Sequence, residues 1–181
     1  MINPIEAKKF AEKVLKQKLP KLLAEYYITH SKFVIIATKN LAKEKNLNVN
    51  PEILEISGYL HDTGYSIKEE GHAEESLKIT ENKFSNINKT IIDCILNHGP
   101  DKKPLTEEGK IFQLADKLAA FYPKFIIKLI ELEEKEGKLS KKEIIEKQKR
   151  KMEKYFLLFE DKDFKKLAKK YFKEFLKKYY T

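Results

Sequence analysis

Apolar residues recur along almost the whole chain at steps of three and four, while alternating β-branched runs are scarce. That spacing puts one apolar stripe on each of a series of helices. Stripes of this kind are buried by packing helix on helix, so the pattern predicts an all-α fold, a single-domain helical bundle. The six Gly and six Pro fall mostly between the periodic segments and punctuate them.

The first helix is expected from about Pro4 to Leu19, with Pro4 in its first turn. A longer one covers about Glu25 to Glu44, where His30, Phe33, Val34, Ala37 and Leu41 share a face. The next starts at Asn50-Pro51, an N-cap followed by proline, and stops at His61-Asp62 before Gly64. Two short helices are expected at Gly71–Phe84 and Asn88–His98, then a loop over Gly99–Pro104. Thr106-Glu107-Glu108 opens a helix through Asp116, which Pro123 must interrupt or kink. Ser140 with Glu143 forms a capping-box signature for a helix to about Phe159. Asp161 or Asp163 can cap a last helix ending near Tyr180.

Four histidines and two aspartates sit inside or beside these apolar stripes. His30 lies in Tyr26–Val34, His61 precedes Asp62 in Gly58–Gly64, His72 opens Gly71–Ser76, and His98 closes Ile95–Gly99. Asp116 interrupts the apolar run Phe112–Leu118. Imidazole and carboxylate are the ligands that borderline and hard divalent ions select. Neighbouring side chains on a regular helix point about 100° apart, so His61 and Asp62 can face one ion only where the helix opens, at Gly64. His30 and Asp116, from other helices, would complete that shell. If His72 and His98 also face the centre, a second ion bridged by Asp62 becomes possible. A lone histidine on an apolar face is more often a satisfied core residue, and it is the combination that argues for metal. By the same standard Glu74 and Glu75 read as helix N-terminal charges and Cys94 as a small core residue.

At 181 residues there is length for a real core. A single cysteine excludes an intramolecular disulfide, no run of 18 apolar residues predicts a transmembrane helix, and the N-terminus lacks a signal peptide's apolar stretch. These features point to a cytoplasmic protein. The net charge of +9 is confined to the end of the chain: residues 1–137 carry 21 Lys against 21 Asp/Glu, and residues 138–181 carry 16 Lys+Arg against 7 Asp/Glu. The sole arginine is Arg150.

The spacing of His30, the His61-Asp62 pair and Asp116 in Leu114–Leu118 resembles the HD superfamily of metal-dependent phosphohydrolases, over about residues 25–125. Gly71-His72-Ala73-Glu74 and Asn97-His98-Gly99 are similar to small HDIG-type members. The resemblance implies the HD type of bundle over residues 1–181, with a basic helical extension at 138–181. It implies His30, His61, Asp62 and Asp116 as ligands of a first divalent ion (Mn, Fe, Co, Ni, Zn or Mg). His72 and His98 match positions that in two-metal members serve a second ion, so Asp62, His72 and His98 are the expected catalytic residues. Two departures stand out. Many members carry a lysine or glutamate shortly after the pair, where this chain has Thr63-Gly64-Tyr65 and its nearest lysine is Lys68. Arginine, a common phosphate clamp, is absent from residues 1–137, which leaves substrate phosphate to lysines, with Lys102, Lys103 and Lys117 as candidates, or to backbone N–H groups. For Lys102 and Lys103 the plainer reading is loop solvation.

The expected activity is therefore hydrolysis of a phosphate ester or anhydride, with a nucleotide as the favoured small phosphorylated substrate, by metal-activated water. Two rivals are a di-iron oxygenase on the same fold and a non-enzymatic, metal-stabilised nucleotide-binding module. In the tail, Phe164, Leu167, Ala168, Tyr171, Phe172, Phe175, Leu176 and Tyr179 form an apolar stripe opposite a lysine face. The stripe is expected to pack on the bundle or on a second copy in a homo-oligomer. A nucleic-acid or anionic-membrane role for the lysine face is the less favoured reading.

Overall fold

The computed structural model describes residues 2–137 and 139–180. Lys138 and Thr181, the ends of the expected basic extension, lie outside the described residues, as does Met1. Among the described residues there are nine α-helices and one short 3-10 turn, with no strand. The helices are α1 (Pro4–Lys18), α2 (Lys21–Glu44), α3 (Pro51–Leu60), α4 (His72–Lys83), α5 (Lys89–Leu96), α6 (Glu107–Ala119), α7 (Pro123–Glu136), α8 (Lys141–Leu158) and α9 (Lys162–Tyr179); the 3-10 turn is Thr63–Ser66.

Most helix starts are set by local side-chain chemistry. Asn3 and Glu6 form a reciprocal capping box on α1, and Ser140 and Glu143 form another on α8. Asn50, Asn88, Thr106 and Asp161 each accept backbone N–H groups at the start of α3, α5, α6 and α9. Pro123 occupies the first position of α7, so it separates two helices rather than kinking one. The α2 helix begins at Lys21, earlier than the expected Glu25. Pro20 is its N-cap, and Ala24 is already buried, so the stripe extends one turn further back.

The core is built in three connected parts. The largest joins α2 and α6 to α7, α8 and α9 through Leu41, Ile111, Leu118, Phe121, Phe125, Ile126, Ile144, Met152, Phe164 and Phe175. A second packs α1, α3 and α5 through Ala7, Ala11, Ile56, Leu60, Ile91 and Ile95. The third, Val34, Leu54, Cys94, Phe112 and Ala119, ties α2, α3, α5 and α6 together. Cys94 is fully buried there. Phe164, Leu167, Ala168 and Phe175 bury the α9 stripe in the largest cluster, with Tyr171, Phe172, Leu176 and Tyr179 packed against it. Lys45, just beyond α2, pins the start of α9, with its ammonium 2.5 Å from Asp161 and 3.3 Å from Asp163. No helix among the described residues is long and apolar enough to cross a membrane.

Candidate metal centre

The α3 helix ends at Leu60, and the chain then tightens into the 3-10 turn. His61 is still α-helical at φ −59°, ψ −32°, whereas Asp62 has opened to φ −106°, ψ 8°. This one-residue change of backbone turns two adjacent side chains towards a common centre. Thr63 steadies the turn by donating its hydroxyl to the Leu60 carbonyl at 2.8 Å. Gly64 N–H donates to the Ser76 hydroxyl on α4 at 2.7 Å. A Cβ at Gly64 would collide with the His72 carbonyl and the Ser76 amide, so the turn and α4 touch backbone to backbone.

Asp62 lies at the middle of the centre. Its Oδ2 is 3.3 Å from His61 Nε2 and 3.6 Å from His30 Nε2. Its Oδ1 is 3.7 Å from both His72 Nε2 and His98 Nε2. One carboxylate thus faces two histidine pairs with different oxygens. Asp116 joins the first pair from α6, its Oδ1 2.8 Å from His30 Nε2 and 3.7 Å from His61 Nε2. Its Oδ2 is held by the Lys117 ammonium. His72, at the first position of α4, and His98, just beyond α5, bring their Nε2 atoms within 2.9 Å of each other. His30–His61–Asp62 and Asp62–His72–His98 are each close enough to hold one ion.

Three imidazoles are oriented alike. The Nδ1 atoms of His61, His72 and His98 donate to the carbonyls of Gly58, Glu69 and Ile95, three residues back, at 3.1, 3.0 and 2.6 Å. With Nδ1 committed to a carbonyl, each Nε2 faces the centre and is the nitrogen that an ion there would take. The donor set fits a cation on its own chemistry. His61 Nε2 is buried with no hydrogen-bond partner, and two imidazole nitrogens face each other across 2.9 Å. Both are costly unless a positive ion or a proton lies between the donors.

The electrostatics agree. Burial alone would depress the His61 pKa, but the Asp62 and Asp116 carboxylates outweigh it and raise it to about 10. Burial would raise Asp62, yet His61, His30 and His98 hold it far below the usual carboxylate range. Burial likewise opposes the ionisation of Asp116, and Lys117 with His30 and His61 overcomes it. His98 goes the other way. Burial and the neighbouring His61 charge lower it to about 4, which keeps its imidazole neutral. The pocket therefore stabilises positive charge between His30, His61 and the two aspartates.

The family model for the HD domain matches residues 27–120. The chain belongs to the HD domain family. The match spans His30 to Asp116, the stretch that supplies every residue of the centre, and HD domains bind divalent metals. Nothing matches among curated proteins or among solved structures.

An open cleft of about 360 Å³ leads to the centre of this HD domain, lined by His30, Asp62, His72, His98, Asp116 and Lys117 together with Tyr26, Tyr27, Tyr65, Lys151 and Tyr155. Lys102 and Lys103 are not among its walls; Lys102 instead stands 4.0 Å from Glu74 on the surface. Lys117 lines the cleft but is committed to Asp116. Burial would lower its pKa, and Asp116 raises it. Tyr65, in place of the helper lysine or glutamate, stacks on His72 with centroids 4.0 Å apart and on Tyr27 at 4.4 Å. Burial, reinforced by Asp62, raises the pKa values of Tyr27 and Tyr65, so both remain protonated donors. Lys151 and Tyr155, from α8, are wall residues that sequence reasoning misses. Their only sequence signal is a spacing of four on one face of a charged helix, and nothing local says that this face meets a cleft built by α2, the 3-10 turn, α4 and α6.

Proposed function

We propose that the protein is a metal-dependent phosphohydrolase that cleaves a phosphate ester or anhydride of a small molecule, a nucleotide in the favoured case. The observation that carries this reading is the division of Asp62, one oxygen towards His30 and His61 and the other towards His72 and His98. In this reading His30, His61, Asp62 and Asp116 hold one divalent ion, and Asp62, His72 and His98 hold a second. When bound, such ions make a nucleophile of water near neutral pH and offset the charge of a phosphoryl group.

The remaining work belongs to the chain. The ionised Asp62 carboxylate orients the attacking water. Lys117 fixes the rotamer of Asp116 and so the position of its free oxygen. The hydroxyls of Tyr27 and Tyr65 form no hydrogen bond among the described residues, and they are available to donate to phosphoryl oxygens. The Tyr27–Tyr65–His72 stack keeps His72 from swinging out when substrate enters.

A phosphatase screen over nucleotides, cyclic nucleotides and dinucleoside polyphosphates, run with Mn²⁺, Co²⁺, Ni²⁺, Mg²⁺ and Fe²⁺, tests the reading. Phosphate release in at least one combination, abolished by Asp62→Ala, is expected. Oxygen uptake with a mixed-valence iron pair, or nucleotide that stays bound and uncleaved with every ion, would contradict it.

A further inference from the structure

Beside the metal cleft lies a second cavity, a chamber of about 460 Å³. Leu22, Leu23, Leu129, Leu132 and Leu139 give it apolar walls, and Glu133 and Lys147, paired at 3.4 Å, add one polar edge. It shares Tyr26, Tyr27, Glu69 and Lys151 with the cleft. Two helices run through both spaces. On α2 the stripe Leu22, Leu23, Tyr26, Tyr27 starts in the chamber and reaches His30 at the centre. On α8 the residues Lys147, Gln148 and Lys151 face the chamber, and Lys151 and Tyr155 face the cleft. Spacings of three and four keep each set on one helix face.

Lys151 stands where the two spaces meet. Among the described residues no carboxylate pairs with it, and its ammonium lies 5.9 Å from the centre of the Tyr155 ring. A half-buried lysine without a counter-ion, lining the same cleft as the histidine and aspartate centre, is suited to an anion that arrives with the ligand. The chamber has the size of a small-molecule site; five leucines and two tyrosines make most of its walls, and of its polar side chains Glu133 and Lys147 are paired with each other and Gln148 donates to the Ala120 carbonyl.

We infer that cleft and chamber form a single substrate site: the phosphoryl group lies at the metal centre against Lys151, and the chamber takes a bulky, flat, largely apolar organic group of the same molecule. The inference rests on the phosphohydrolase reading for the phosphoryl end only. It sets the substrate class as phosphate esters of bulky aromatic alcohols, against small polar phosphates such as glycerol phosphate. Leu22, Leu23 and Leu132 become specificity-determining residues, and Lys151 binds the phosphoryl group.

The test compares 1-naphthol, 1-naphthyl phosphate and glycerol phosphate on the full chain. Fluorescence titration should show 1-naphthol binding to the wild type without added metal. Leu22→Trp, which fills the chamber, should weaken that binding by about tenfold or more, the usual size of a shape mismatch in an apolar pocket. Leu23→Lys on the same wall serves as a second variant if the tryptophan unfolds the chain. 1-Naphthyl phosphate should bind more tightly than 1-naphthol, and Lys151→Ala should erase that advantage. In turnover, the preference for 1-naphthyl over glycerol phosphate should fall in Leu22→Trp. Absence of 1-naphthol binding, or identical binding in the wild type and both chamber variants, overturns the chamber. An advantage of 1-naphthyl phosphate that survives Lys151→Ala overturns the role of Lys151. If no phosphate ester is cleaved with any ion, the phosphohydrolase reading falls, while the titrations still decide the chamber.

Discussion

Asp62 illustrates how much the backbone of one residue decides. A continued α-helix would send its carboxylate about 100° away from His61; Asp62 has left helical geometry at φ −106°, and the two side chains meet at one centre. That opening depends on Gly64, whose missing side chain lets the 3-10 turn touch the start of α4. Gly64→Ala is expected to cost about 1–3 kcal/mol through overpacking, and to displace His72 and so weaken the Asp62–His72–His98 site selectively. Denaturant melts with a metal titration check this, and a variant as stable as the wild type with unchanged metal binding would refute it. At this scale the site is largely legible in the sequence. His30, His61, Asp62, His72, His98 and Asp116 all stand out by residue type and position, because chemistry of this kind needs those side chains and few others. The roles of Tyr65 and Lys151 do not, since they come from stacking on His72 and from reaching into a cleft between helices distant in sequence.

Among the helices, the clamp between α5 and α6 has the largest identifiable role outside the site. Asp93 of α5 accepts from the Thr106 hydroxyl at 2.5 Å, from the Thr106 amide at 2.8 Å, from the Leu105 amide at 3.0 Å and from Asn97 at 2.7 Å. It thereby fixes Thr106, the N-cap of the helix that carries Asp116. Asp93→Ala should cost about 1–3 kcal/mol, since it removes the acceptor that four part-buried or exposed donors share. Burial would raise the Asp93 pKa, but the donors from Thr106, Leu105 and Asn97 hold it below the ordinary value. A depressed folded-state pKa contributes stability above the unfolded value of about 4 and loses it as pH falls through the folded one. The stability gap between wild type and Asp93→Asn should therefore shrink below about pH 4, as chemical denaturation across pH would reveal. A gap that widens on acidification would be the wrong sign. Helix starts governed by near neighbours, such as Asn50-Pro51 and Ser140 with Glu143, are readable in the sequence. The 3-10 turn, the start of α2 at Pro20 and the Asp93 clamp are not, because each is decided by packing or by a partner from another helix.

Over the whole molecule, the basic last quarter divides into two roles that its composition does not separate. The α9 helix closes the core with Phe164 and Phe175, whereas α8 turns Lys151 and Tyr155 to the cleft. Deleting residues 161–181 should lower the melting temperature or cause aggregation, since it uncovers the Phe121 and Phe125 region of the largest core cluster. A truncated chain of unchanged stability would contradict that. Metal should stabilise the whole fold, because histidines and aspartates from α2, α4, α6 and the ends of α3 and α5 meet at the centre: an ion at a hundred times its Kd adds about 2.7 kcal/mol, which a chelator removes as a lower melting temperature. The most direct measurement is the metal stoichiometry of wild type, His98→Ala and Asp62→Ala, by elemental analysis after loading with Mn²⁺ or Co²⁺, with folding verified by circular dichroism. Two ions per chain for the wild type, one for His98→Ala and none for Asp62→Ala are expected of two sites sharing one carboxylate; a folded Asp62→Ala that binds metal as the wild type does would contradict it.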